Sequence, residues 1–95
     1  MSDFDARYQD LRRRFVARSL ADLPILEQAV QGLEPVHPET LRMTVHRMAG
    51  AAGTFGYREL SDLAGEVDDR LMESDTPPAE RLRALIAMVR SLDEA

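Results

Sequence analysis

His37-Pro38-Glu39-Thr40-Leu41-Arg42-Met43-Thr44-Val45-His46-Arg47-Met48-Ala49-Gly50-Ala51-Ala52-Gly53-Thr54-Phe55-Gly56 is the stretch on which the fold turns. Leu41, Val45, Met48, Ala52 and Phe55 recur at helical spacing, so they form one apolar stripe on an amphipathic helix. Pro38 suits a first turn, where its missing N–H costs nothing. His37 just before it reads as a capping or solvent-exposed residue. Gly53 and Gly56 bracket the far end, where glycine supplies a left-handed cap.

The same periodicity extends in both directions. Phe4, Tyr8, Leu11 and Phe15 predict a first helix with one apolar stripe. Arg12, Arg13 and Arg14 fall mainly off that stripe, as a solvated face or as a partner contact. Ser19, Asp22 and Pro24 predict a restart near residue 20. Leu23, Leu26, Ala29, Val30 and Leu33 follow as a second stripe, ended by Gly32 and Pro35. Beyond Gly56, Leu60, Leu63, Ala64, Val67 and Leu71 mark a fourth helix. Ser74-Asp75-Thr76-Pro77-Pro78 breaks the chain, with Thr76 as an N-cap and Pro77 just inside the next helix. Leu82, Leu85, Ile86, Val89 and Leu92 mark the last.

No run alternates with period two for long enough to make a strand. Short connections favour antiparallel neighbours. The expected fold is all-α: an antiparallel up-and-down four-helix bundle with an additional N-terminal helix, one domain over residues 1–95.

Composition narrows the function. The 95 residues carry 12 basic and 17 acidic side chains, a net charge of -5. Without a basic excess to neutralise phosphates, nucleic-acid binding is not the main task. With no cysteine, disulfides and thiolate metal sites are excluded. Two histidines without cysteine make a poor metal site. No apolar stretch approaches the roughly 20 residues that span a bilayer. The start Met1-Ser2-Asp3-Phe4-Asp5 lacks the basic and apolar regions of a signal peptide. The expected location is the cytoplasm. All twelve basic residues are arginine.

At about 100° per residue, His46 projects about 140° from the centre of its helix's apolar stripe, toward solvent. Arg42 lies one turn before it, Gly50 one turn after and Gly53 nearly two turns after. Ala49 lies between His46 and the core. The surface C-terminal to His46 is thus nearly bare. A helical glycine costs about 0.5–1 kcal/mol relative to alanine, and an exposed Gly50 gains no core packing in return. Close approach of a partner's backbone to the imidazole is a benefit that fits. A neutral imidazole is also a good nucleophile near neutral pH, suited to in-line attack on a phosphoryl donor.

Residues 46–56, from His46 to Gly56, resemble the histidine-containing phosphotransfer (HPt) domain family. In that family the phosphorylated histidine is followed by an apolar residue, Lys, Gly, small residues and a hydrophobic-Gly pair. Leu60, Leu63-Ala64 and Val67-Asp68 resemble the family's next helix, and the register runs without gaps from His46 to Asp68. The resemblance implies that His46 accepts the phosphoryl group on Nε2. It implies that Gly50 lets a response-regulator receiver domain dock. The receiver would bring its own Asp and Mg²⁺, so no cofactor is expected on this chain. Ala49 stands where the family has Lys. Arg42, about 40° from His46 around the helix, is the preferred substitute; Arg47 diverges by about 100°. Alternatively, the partner alone holds the phosphoryl group. Asp68 matches an acidic or amide position and is given no catalytic role.

The resemblance implies a monomeric phosphorelay carrier without an ATP site of its own, shuttling phosphoryl groups between receiver-domain aspartates and serving a hybrid histidine kinase. The alternative is a non-catalytic module of the same fold that binds a receiver or kinase as a sink or inhibitor. Retention of His46 beside Gly50 favours the carrier. A kinase component is disfavoured, since no Gly-rich nucleotide loop is present.

Overall fold

The computed structural model describes residues 3–32, 35–74 and 76–94. Among them every regular element is helical: α1 (Asp3–Ala21), α2 (Leu23–Gln31), α3 (Pro38–Thr54), α4 (Arg58–Glu73), α5 (Ala79–Ser91) and a closing 3-10 turn, Leu92–Glu94. The helices form a bundle of 47 × 22 × 19 Å. Its cross-section suits helices packed side by side at 8–10 Å spacing.

The core is built from the predicted stripes. Leu26 of α2, Leu41, Val45, Met48 and Ala52 of α3, Leu60, Leu63, Ala64, Val67 and Leu71 of α4, and Leu82, Leu85, Ile86 and Val89 of α5 are all buried. Ala29, Val30, Phe55 and Leu92 pack against this core half-buried. Leu33 and Asp75 lie outside the described residues.

The first helix departs from expectation. Of its stripe, Phe15 is buried and Tyr8 half-buried, while Leu11 is exposed and Phe4 is 73 % exposed. The reason is what α1 packs on. Tyr8 meets Phe55 with ring centroids 5.4 Å apart, and Phe15 meets Phe55 at 5.7 Å and Tyr57 at 5.4 Å. The aromatic corner where α3 turns into α4 thus receives the middle of α1 and leaves its start uncovered. Arg12 of the arginine triplet reaches the Tyr57 hydroxyl at 3.2 Å, and Arg14 pairs with Asp10.

Two helix starts also move. The restart near residue 20 falls at Leu23, and Ser19 is buried inside α1. Asp22 alone separates α1 from α2, and its side chain makes no capping hydrogen bond. Helix α5 begins at Ala79 rather than at Pro77. A residue before proline is pushed out of the helical region, so Pro77 stays outside and Pro78 takes the N-cap place. Thr76 instead donates its backbone N–H to Ser74 Oγ at 3.1 Å. Gly53, expected with Gly56 at the end of α3, lies inside the helix instead; elsewhere the expected caps hold. Gly32 closes α2 at φ 67°, Gly56 follows α3 at φ 85°, and His37 caps α3 by accepting the Glu39 N–H on Nδ1 at 3.2 Å.

Candidate functional site

His46 stands near the middle of α3 with 72 % of its side chain exposed. A helical side chain leans toward the N-terminus of its helix, so a side chain at position 50 would lean back over the imidazole. Gly50 has none, and a Cβ placed there would meet nothing within 4 Å. The ring is therefore open to approach from its C-terminal side.

The opposite edge of the ring is engaged. Nδ1 of His46 lies 2.8 Å from Oδ2 of Asp68 on α4. Asp68 is 8 % exposed, placed on the buried side of α4 between Ala64 and Leu71. A carboxylate only accepts hydrogen bonds, so the contact assigns the proton to Nδ1 and leaves the lone pair on Nε2. The second oxygen, Oδ1, is buried and takes no hydrogen bond from the described residues. Its nearest cation is Arg42, with Nη1 at 3.7 Å.

Arg47 turns away. Its Nη2 lies 2.9 Å from Asp22 Oδ2, whose other oxygen faces Arg18 Nε at 3.5 Å. The carboxylate that caps nothing thus ties α3 to the α1–α2 junction. Ala49 is half-buried, and its carbonyl accepts the Ser61 hydroxyl at 2.8 Å. Gly53 does not widen the bare surface beside His46. A Cβ there would come within 3.2 Å of Ser61 Oγ, so its missing side chain serves the close approach of α3 and α4. Gly65 of α4, three positions before Asp68, likewise opens on empty space. Met43 and Met72 stand exposed on α3 and α4.

The arrangement brings together His46, Arg42 and Gly50, and separates Arg47 and Gly53 from them. Sequence reasoning missed the place of Asp68. Its signal was an acidic residue four positions after Ala64 on an otherwise apolar stripe. Such a residue is buried only with a partner to satisfy it. Among the described residues, no cluster of three or more His, Cys, Asp or Glu side chains is placed to hold a metal ion. No described helix is long and apolar enough to cross a membrane. A family model, Hpt domain, matches residues 10–94. No curated protein and no solved structure matches the chain.

Proposed function

The chain belongs to the Hpt domain family, matched over residues 10–94, and on that premise we propose that it carries its phosphoryl group on Nε2 of His46. The family function is histidine phosphotransfer in two-component phosphorelays, as a carrier working with receiver domains and histidine kinases. The observation that supports His46 is its pairing of an exposed ring with a buried carboxylate on Nδ1.

The chemistry balances without proton movement. The Nε2 lone pair attacks phosphorus in line, and the P–O bond to the receiver's aspartate breaks. The carboxylate leaves with the electron pair. Nδ1 keeps its proton throughout, and the ring becomes an imidazolium facing Asp68. In reverse, a receiver carboxylate attacks phosphorus and neutral imidazole leaves. Asp68 is a positioning residue: it fixes ring orientation and tautomer, as a carboxylate does behind other functional imidazoles. Phosphoryl transfer asks mainly for positioning and charge stabilisation, which two proteins share. The Mg²⁺ and the acceptor aspartate belong to the receiver in this reading.

Several coarser features complete the proposal. We read the bundle as an antiparallel up-and-down array of α2–α5; for the α3–α4 pair this is supported by contacts that step back along α3 as the chain runs from Tyr57 into α4: Tyr57 with Ala52, Ser61 with Ala49, Asp68 with His46. We take the chain as a single, monomeric, cytoplasmic domain without an ATP site, fed by a hybrid kinase. Ala49 favours the second reading, in which the domain binds a receiver without efficient transfer.

Label transfer from a radiolabelled phospho-receiver decides between them. The carrier gives acid-labile label on the wild type and none on His46→Gln. Binding without label supports the sink. Label persisting on His46→Gln places the acceptor elsewhere.

A further inference from the structure

A phosphoryl dianion on His46 needs a cation, and α3 holds two, Arg42 and Arg47. They are not equally free to move. Arg47 sits 2.9 Å from a carboxylate oxygen of buried Asp22. Withdrawing it would strip that carboxylate of its shortest contact. Arg42 is held loosely. Its 3.7 Å approach to Asp68 exceeds hydrogen-bond distance, and Oδ1 makes no hydrogen bond that its departure would break. Its side chain is 37 % exposed. It lies one turn before His46, the turn over which the imidazole itself leans.

We propose that Arg42 is the phosphoryl-holding residue of this site and that it works by changing partner: it faces Asp68 while His46 is free and moves to the phosphoryl oxygens once Nε2 is occupied. This rests on His46 being the carrier. Charge drives the exchange from both ends. When Nε2 spends its lone pair on the N–P bond and Nδ1 keeps its proton, the ring becomes cationic. Asp68 then has a full positive charge across the contact it already makes and depends less on Arg42. At the same moment a dianion appears at the far edge of the ring. The guanidinium, with its planar fork of donors, matches two phosphoryl oxygens at once. Ala49 offers no competing cation.

The test uses the full chain and phosphoramidate, a small donor that needs no receiver. The donor's N–P bond breaks, Nε2–P forms, and ammonia leaves with the electron pair. At a fixed ratio of ammonium to phosphoramidate, the ³¹P signal of phosphohistidine against total protein gives the ratio of phosphorylated to free His46. Arg42→Gln lowers that ratio about three- to tenfold, the range for one partly exposed charge-assisted contact. Arg42→Lys recovers part of the loss. In the wild type the Arg42 Nε–H resonance shifts on phosphorylation, a readout that needs no substitution at Arg42 and so survives misfolding of either variant. An unchanged ratio in folded Arg42→Gln, or an Arg42 resonance indifferent to phosphorylation, overturns the exchange. Label on His46→Gln would instead overturn the carrier assignment beneath it.

Discussion

Asp68 holds the Nδ1 edge of His46 at 2.8 Å from 22 positions further along the chain. In the proposed reaction one helix thus supplies the nucleophile and its neighbour supplies the group that sets which nitrogen reacts. Asp68→Ala should slow phosphorylation of His46 about tenfold, the lower range for loss of a carboxylate behind a functional imidazole. Asp68→Asn should cost less, because its amide oxygen still accepts from Nδ1–H. Ring ¹⁵N shifts check the cause: one tautomer dominates in the wild type, and both appear in Asp68→Ala. Equal rates in all three proteins would remove the positioning role.

Gly50 should separate docking from chemistry. Gly50→Gln should slow transfer from a phospho-receiver while leaving labelling by phosphoramidate close to wild type. A side chain leaning back over His46 obstructs a protein more than a small donor. Slowing of both reactions alike would mean that the glycine acts on the ring itself.

Gly50 beside His46 and Gly53 in the α3–α4 seam should respond oppositely in stability. Gly50→Ala meets open space and should stabilise the fold by about 0.5–1 kcal/mol through helix propensity. Gly53→Leu forces a side chain into the α3–α4 seam at Ser61 and should cost about 1–3 kcal/mol. Urea unfolding followed by circular dichroism measures both. A stabilising Gly53→Leu would contradict the close approach.

Asp22→Ala releases Arg47 and Arg18 together. With both arginines able to turn to water, the cost should be about 1–2 kcal/mol, within the range of ordinary single substitutions. Phosphoramidate labelling of His46 should persist. Loss of labelling in a folded variant would tie the α1–α2 junction to the site.

The core and the start of α1 should differ sharply. Leu26→Ala removes a fully buried side chain of α2 and should cost about 2–5 kcal/mol. Phe4→Ala should change stability by under about 0.5 kcal/mol. Equal costs would mean that α1 is covered along its whole length.

Helix stripes were the most legible part of the sequence. Leu41, Val45, Met48 and Ala52, like Leu60, Leu63, Ala64, Val67 and Leu71, repeat at the spacing of a buried face, so period alone assigns them. Phe4 keeps the same period at the start of α1, which no described residue buries, and Leu11 keeps it between Tyr8 and Phe15 yet stays exposed. A stripe records which side of a helix is apolar, and only tertiary packing decides how much of it is buried. His46 was legible by projection, because exposure follows from angle. Asp68 was not, because its role depends on where α4 lies beside α3. For Gly53, the sequence gives its place on the helix but not the Ser61 hydroxyl that comes to meet it.

The proton on Nδ1 has a kinetic consequence. In the proposed reaction it stays in place whether phosphoryl arrives or departs, so neither direction would wait on an acid or a base. On that reading the chain would behave as a symmetric relay: swapping donor for acceptor would change nothing in its own machinery. Which way the signal runs is decided by the relative stabilities of the two acyl phosphates and the amounts of the proteins that bear them. Reversing the supply of phosphorylated receiver would reverse the current.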